Sequence, residues 1–227
     1  MLVRELESKT IIVKPRADGC SSGILRLNSS EDLNRYLYFA RKNSAFIPKR
    51  NFKNQNDIIE MPTKKISELL FENFIETDII KTKGNKLSYI PKTGWVEITV
   101  GVVERGSKIH VMNPSITISE GEVLSVEEKF QGGTGVNITP PPTSIIKSKV
   151  LNMVKDRIGK VAKGLGIKGY SRIDAFINVN TGEVGIIEVN TLPGLTPSTV
   201  IYHQALAENP PLFPLEFLEQ IIKNKGY

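Results

Sequence analysis

Apolar and polar positions alternate in twos along some stretches of the chain and recur in threes and fours along others. The two periods divide it into strands and helices. "TIIVKP" (10–15) and "ILRL" (24–27) read as strands on either side of a small, polar, glycine-bearing loop, "RADGCSSG" (16–23). "SSEDLNRYLYFARKN" follows with helical spacing at Leu33, Tyr36, Leu37 and Ala40, and Ser29 with Asp32 marks its N-terminus as an S-x-x-D cap. Residues 41–66 are polar and basic, with no period beyond a short "IIEMP". "ELLFENFIE" (68–76) is a further strand, and 77–94 reads as an exposed loop or a hairpin insertion. "WVEITVGVVERGSKIHVMNPSITI" predicts strand, turn and strand, with turn signals at "RG" and "NP". "GEVLSVEEKFQGGTGVNITPPP" predicts a strand running into a glycine-rich, proline-ended loop. Ile146 to Lys163 predicts an amphipathic helix with Val150, Val154, Ile158 and Val161 on one face, ended by "GLG". Two helices close the chain, begun after Pro197 and after Pro214. Strand hairpins with helices packed on them make an α+β arrangement in two lobes.

The most informative stretch is "RIDAFINVNTGEVGIIEVNTLPG" (172–194). Runs rich in Ile, Val and Phe flank the turn signal "NTG", which predicts a hairpin. Alternation puts Arg172 and Asp174 on one face, and likewise Glu188 and Asn190. A three-residue loop, 180–182, with Gly182 in the left-handed region, sets Asp174 opposite Glu188 and Arg172 opposite Asn190. Facing carboxylates repel unless a cation sits between them. Oxygen ligands are what Mg²⁺ prefers, and it is usually held by one or two carboxylates plus substrate phosphates. The pattern therefore points to a Mg²⁺–nucleotide site with an arginine beside it. A half-exposed hairpin with a polar outer face, on which Arg172 pairs with Asp174 or Glu188, has the same alternation. Spacing alone leaves both open.

Composition narrows the classes. At 227 residues, 40% hydrophobic and 24% charged, the chain is an ordinary globular protein of one large domain or two small ones. No run approaches the roughly 18 apolar residues of a membrane span. "MLVRELESKT" lacks the apolar core of a signal peptide, and the single Cys20 allows no intramolecular disulfide, so a cytoplasmic location is expected. The net charge is +6, but the basic residues are spread out, aromatics are 7%, and no nucleic-acid motif occurs. Neither a nucleic acid nor a membrane is expected as partner, and the mild positive charge suits an anionic nucleotide. His110 and His203 have no zinc-ligand spacing and form no nucleophile–base set with Cys20. Lys14 ends a buried strand just before small residues whose backbone N–H groups can approach phosphate closely, although a solvated strand end reads the same. "QGGTG" (131–135), just after Lys129, is either a surface loop or a lid that closes over ATP and brings Lys129 to the terminal phosphate.

"IIVKPRADGCSSG", "LLFENFIE", "VEITVGV", "EEKFQGGTG" and above all "GYSRIDAFINVNTGEVGIIEVNTLPGLTPST" occur in this order. Together they resemble the D-alanine–D-alanine ligase family of ATP-grasp enzymes, from about Thr10 to the C-terminus. The resemblance implies an ATP-grasp fold, two lobes of antiparallel sheet with packed helices and the nucleotide between them. Residues 1–75 would be a partial small lobe with the phosphate loop and adenine hinge. Residues 76–227 would be the large lobe with the metal and catalytic residues, an insertion at 77–94 and a lid loop at 130–142. The implied reaction joins two D-alanines through an acyl phosphate for peptidoglycan precursor synthesis, with ATP and two Mg²⁺ (or Mn²⁺) ions. Lys14 would contact the nucleotide phosphates, and Ser21 and Ser22, with the backbone of 19–23, would form the phosphate loop. Glu72, Asn73, Phe74 and Ile75 resemble the hinge that reads adenine through its backbone, and Glu97 the acid that binds the ribose hydroxyls. Lys129 would meet the transferring phosphate, and Asp174, Glu188 and Asn190 would ligate the metal ions. Arg172 would contact substrate and stabilise the charged transition state. Gly194, in the same catalytic set, and Thr199 resemble the pocket for the second alanine's carboxylate.

The chain departs from the family pattern in four places. Family members carry a further N-terminal domain and a strand–helix section, which supply part of the first D-alanine pocket and another nucleotide-contacting lysine. Residues 1–9 hold nothing to replace them, so the chain is expected to be a fragment or to be completed by another chain, either a homodimer partner or an N-terminal subunit. Cys20 stands where the family usually has serine, Thr199 where it usually has a substrate-binding serine, and 77–94 is an insertion. Two other functions remain open: an ATP-grasp ligase for another amino-acid pair, and a nucleotide-binding module without turnover.

Overall fold

"WVEITVGVVER" is apolar at nearly every position because both of its faces are covered for much of their length, and it forms strand β8 (Trp95–Arg105). The computed structural model describes residues 10–17, 19, 21–53, 55–83, 86–118 and 136–223. They divide into two compact units, whose described parts are 10–75 and 76–118 with 136–223.

In the first unit β1 (Ile11–Pro15) is the centre of a three-stranded antiparallel sheet, between β2 (Leu25–Leu27) and β5 (Leu69–Asn73). Helix α1 (Ser30–Arg41) buries Tyr36 and Ala40 in a cluster with Val13, Leu25 and Leu27. Its start is capped as the sequence predicts: Ser29 Oγ accepts from the Asp32 N–H at 3.1 Å, and Asp32 Oδ2 accepts from the Asn28 N–H at 2.8 Å. The aperiodic stretch 41–66 holds only the short pair β3 (Phe46–Ile47) and β4 (Ile59–Glu60). It is organised instead by Gln55, whose amide bonds the backbone of Asn51, Pro48 and Asp57 at 2.8–2.9 Å. Side-chain-to-backbone bonds leave no period to read.

The second unit is built on an antiparallel sheet in the order β11 (Val136–Ile138), β10 (Ser115–Ile118), β8, β12 (Tyr170–Asn178), β13 (Val184–Asn190). β9 (Lys108–Val111) shares the β10 edge of β8. One sheet face carries Val96, Ile98, Val100, Val102, Ile173, Ala175 and Ile177, buried under α2 (Ser148–Gly164). The stripe on α2 is Val150, Val154, Ile158 and Ala162. The fourth position is Ala162 rather than Val161, because steps of four keep a residue over the sheet and Val161 turns aside, half-buried. On the other face, α3 (Val200–Leu206) and α4 (Pro214–Lys223) cover the Gly101–Arg105 end through Ile201, Tyr202, Ala205, Phe217 and Ile221. Glu97, Thr99, Arg172 and Asp174 lie further along that same face, since they alternate with the core positions.

The 77–94 stretch is a hairpin of β6 (Ile79–Lys83) and β7 (Lys86–Ile90), with Ile80 and Tyr89 packed on the α2 core. Asp78, 6% exposed, fastens it. Its Oδ1 accepts from the backbone N–H groups of Lys92, Thr93 and Gly94, each at 2.8 Å, and its Oδ2 accepts from the Tyr89 hydroxyl at 2.7 Å. The strand expected from Gly121, Lys129 and the lid as far as residue 135 lie outside the described residues. No helix among the described residues is long and apolar enough to cross a membrane.

Burial opposes ionisation of Asp78, but the hydrogen bonds from Tyr89 and the three N–H groups outweigh it and hold its carboxyl below the usual carboxylate value of 3.8. A lowered folded pKa contributes stability above the unfolded value, lost as pH falls through the folded one. Asp78→Ala is expected to lower the unfolding free energy by about 3 kcal/mol at neutral pH. The gap from the parent chain should narrow below pH 3.8. Urea unfolding at a series of pH values measures both, and a gap independent of pH would mean that the charge contributes nothing.

Candidate active site

The β12–β13 register places the hairpin's polar residues as the alternation requires: Arg172 lies opposite Asn190 and Asp174 opposite Glu188. The route to that register differs from the expected one. The loop runs over 179–182, closed by the Asn178 N–H to the Glu183 carbonyl at 2.9 Å and the Gly182 N–H to the Asn178 carbonyl at 2.8 Å. Gly182 has φ +70°, in the left-handed region that a loop of this kind reserves for glycine. Near the loop the pairs are therefore Ile177 with Val184 and Ala175 with Ile186. A bulge then leaves Ile187 without a partner and restores the pairing of 174 with 188. The longer loop and the bulge cancel. Arg157 of α2 donates to the Gly182 carbonyl and ties the turn to the core.

Asp174, 8% exposed, is the centre of the cluster. Its Oδ1 accepts from Thr99 Oγ1 at 2.6 Å and from Arg172 Nε at 3.2 Å. Its Oδ2 accepts from Arg172 Nη2 at 3.2 Å and from Asn190 Nδ2 at 3.1 Å. The same Asn190 Nδ2 also donates to Glu188 Oε1 at 3.3 Å. The positive edge of an amide thus lies where the sequence places a cation, between two facing carboxylates. Arg172 pairs with Asp174, so both readings of the hairpin are represented: an ion pair exists, and a carboxylate couple faces it.

Asp174, Glu188 and the Asn190 amide form the all-oxygen donor set that Mg²⁺ or Mn²⁺ takes. Among the described residues no group of three or more His, Cys, Asp or Glu side chains could hold a metal ion, so a three-ligand protein site at this hairpin would need the amide. The set fits a hard divalent ion after one adjustment. Asn190 turns its NH₂ to the carboxylates, and a half-turn of the amide brings its oxygen round. Glu97, two residues before Thr99 on the same strand face, lies beside Phe176 of β12. Gly194 is exposed, and nothing lies within 4 Å of where its Cβ would be, so its backbone is open to close approach. Thr199 holds the N-cap position of α3 without a side-chain cap bond.

In the first unit, Lys14 Nζ is 2.7 Å from Glu72 Oε2, so two residues expected to serve the nucleotide are ion-paired on neighbouring strands. Asn73 pairs with Ile11, the Phe74 N–H donates to the Thr10 carbonyl at 3.2 Å, and Ile75 follows. The Arg26 guanidinium lies 4.0 Å from the centre of the Phe74 ring. The 19–23 turn is closed by the Ser22 N–H to the Gly19 carbonyl at 3.1 Å, with Ser21 at φ +60° and its hydroxyl buried. Gly23 is required there: at φ +67°, a Cβ would lie 2.8 Å from Pro15. Lys129 lies outside the described residues.

Sequence reasoning missed Thr99, Gln204 and Asp78. Thr99 was legible from alternation, two residues from Glu97. Gln204 had a weaker signal, a polar residue set among Ile201, Tyr202 and Ala205 on the buried face of α3.

The antiparallel sheet with packed helices is that of the ATP-grasp class, and on it two carboxylates face one another with an arginine beside them. A family model described as D-ala D-ala ligase C-terminus matches residues 92–222, and the chain belongs to that family. It is 37% identical over 116 residues to the D-alanine–D-alanine ligase of Leptospira interrogans serogroup Icterohaemorrhagiae serovar copenhageni, covering 49% of this chain and 32% of that relative. The D-alanine–D-alanine ligase from Bacillus anthracis complexed with ATP shares the fold with a TM-score of 0.58 at 14% identity, over 98% of this chain and 54% of that one. An L-amino acid ligase from Bacillus licheniformis does so with a TM-score of 0.56 at 15% identity, over 96% and 41%. The chain spans between a third and a half of the length of curated relatives it matches, from 32% to 48%.

Glu188→Gln removes one of two facing charges and keeps the shape of the side chain. The unfolding free energy of the metal-free chain is expected to stay level or rise by up to about 1 kcal/mol. Denaturant unfolding in EDTA measures it, and a clear loss would make Glu188 a structural residue.

Proposed function

We propose that the chain forms the catalytic part of an ATP-dependent D-alanine–D-alanine ligase that supplies a peptidoglycan precursor in the cytoplasm. The observation that carries the reading is the pairing of Asp174 with Glu188 and of Arg172 with Asn190 within the segment that the family model matches. A carboxylate is a poor electrophile. Transfer of the γ-phosphoryl group from ATP to the carboxylate of the first D-alanine breaks the terminal P–O bond, releases ADP and gives an acyl phosphate. The amine of the second D-alanine attacks the carbonyl carbon through a tetrahedral oxyanion, phosphate leaves, and the amine loses a proton.

This chemistry asks the protein for positioning and charge neutralisation. Asp174, Glu188 and Asn190 would hold two Mg²⁺ or Mn²⁺ ions, which supply positive charge to the phosphate oxygens when bound. Arg172, already oriented by Asp174, presents its guanidinium to the oxyanion. The open backbone at Gly194 and the Thr199 hydroxyl suit the carboxylate of the second substrate. Glu97 would take the ribose hydroxyls and Lys129 the transferring phosphate. In the first unit, Lys14 with Ser21 and Ser22 would serve the phosphates, and the backbone of 72–75 the adenine. On this reading residues 1–75 are the small ATP-grasp lobe and 76–227 the large one. The likeness to an L-amino acid ligase keeps a second reading in view, the same chemistry on another amino-acid pair.

The test is phosphate release from Mg²⁺-ATP by the full chain, with D-alanine, with L-amino acids and with neither. D-alanine-dependent release is expected. Release with an L-amino acid instead selects the second reading, and ATP binding without release would make the chain a nucleotide-binding module. Arg172→Ala is expected to lower kcat by about 100-fold or more with ATP affinity nearly unchanged. Equal losses in both would make Arg172 a ground-state binder. Glu188→Gln should abolish turnover, and normal turnover would remove it from the metal site.

A further inference from the structure

The shortest hydrogen bond to Asp174 comes from Thr99, and Thr99 is itself held by a buried amide on α3. Gln204 is fully buried. Its Nε2 donates to the Thr99 carbonyl at 2.8 Å and to Ser115 Oγ at 3.0 Å, and its Oε1 accepts from the Gly101 N–H at 2.7 Å. The position explains the residue. The edge of β8 pairs with β10 at Ile98 and Thr99 and with β9 from Val102 onward. Where the partner strand changes, the Gly101 N–H faces the gap and the Gln204 Oε1 accepts from it, while the Gln204 Nε2 donates to the Thr99 carbonyl at the last β8–β10 pair. Gly101 is the matching half of the device. A Cβ there would lie 2.7 Å from Gln204 Oε1 and 2.2 Å from Met112 Cε, so a side chain would displace the amide.

The hydroxyl bond is aimed. Thr99 and Asp174 are direct partners on β8 and β12, and Thr99 Oγ1 makes the shortest bond to Asp174 Oδ1, which Arg172 Nε shares at 3.2 Å, while Arg172 Nη2 and Asn190 bond Oδ2. A buried carboxylate whose rotamer is set by such a partner presents its lone pairs in one direction. We infer that Gln204, acting through Thr99, is a positioning residue that orients Asp174 for cation binding. The inference rests on the cation site of the ligase reading. Neither Thr99 nor Gln204 is among the proposed ligands; each would act only through Asp174.

The test uses the full chain with Mn²⁺ and a non-hydrolysable ATP analogue, reading free Mn²⁺ by its paramagnetic resonance signal, with thermal unfolding alongside. Thr99→Val keeps the backbone bonds to Gln204 and removes only the hydroxyl. It is expected to weaken Mn²⁺ binding about 10-fold, with Thr99→Ser restoring most of the affinity. Gln204→Met should weaken binding as well, and adding Thr99→Val to it should cost little more, because the two act on one carboxylate. Where Gln204→Met does not fold, Gln204→Glu takes its place, since it keeps the acceptor for Gly101 and loses the donor to Thr99. Parent-like Mn²⁺ binding in Thr99→Val overturns the inference. So does full additivity of the two substitutions, which would make Gln204 a purely structural residue. A parent chain that binds no Mn²⁺ with the nucleotide analogue removes the ligase reading and the inference together.

Discussion

The pairing of β8 with β12 is the interaction on which the second unit depends. Nine consecutive residues of β12 face β8, from Tyr170 opposite Val103 to Asn178 opposite Trp95. Because side chains alternate, this one ladder sorts the residues of both strands at once. Ile98, Val100, Ile173 and Ala175 go to the α2 core, while Thr99, Arg172 and Asp174 go to the other face. A slip of one residue would drive Asp174 into the core and expose Ile173, so the burial that fixes the fold also fixes the site. The charged face therefore needs no separate mechanism to hold its register. It takes it from the apolar face behind it.

The face itself is arranged against its own stability. Two carboxylates face each other, and the groups between and beside them are an amide and a guanidinium. Asp174 is almost fully buried, yet its oxygens are bonded by Thr99, Arg172 and Asn190, and the charge is tolerated on that account. Glu188 has less support and more exposure. Unequal environments of this kind leave one carboxylate fixed and the other free to adjust, as the proposed cation site would require. The Asn190 amide suits such a site, since one rotation turns a donor toward the carboxylates into an oxygen beside them.

Much of this was legible in the sequence where a period or a cap dictates structure. The N-cap at Ser29, three of the four stripe positions on α2 (Val150, Val154 and Ile158, with Ala162 in place of Val161) and the polar face of the hairpin follow from spacing alone. The hairpin register was right although its loop was not, because the apolar alternation on either side outweighs the turn and a bulge at Ile187 absorbs the difference. What was hidden is of another kind. Asp78 and Gln204 organise their surroundings by bonding backbone groups distant in sequence, Gln55 bonds nearby ones in a stretch without a period, and no local pattern announces such a bond. Gln204 meets Gly101 across 103 positions of chain, at a gap in the strand edge that exists only once the sheet has formed. Lys14 was legible as a strand-terminal cation, but its ion pair with Glu72 required the β1–β5 register.

The division of labour within the second unit bears on substrate choice. On the proposed ligase function the sheet face would handle charge whichever amino acid supplies the carboxylate, and selection would fall to groups that touch the variable part of the substrate. The segment after β13 is the candidate for this. It runs directly on from Asn190, exposes Leu192 almost completely, opens the backbone at Gly194 and ends at Thr199 at the head of α3. The solved structures that share the fold include a D-alanine–D-alanine ligase and an L-amino acid ligase, so the fold by itself does not choose the amino acid, and the choice has to lie in particular side chains set on it.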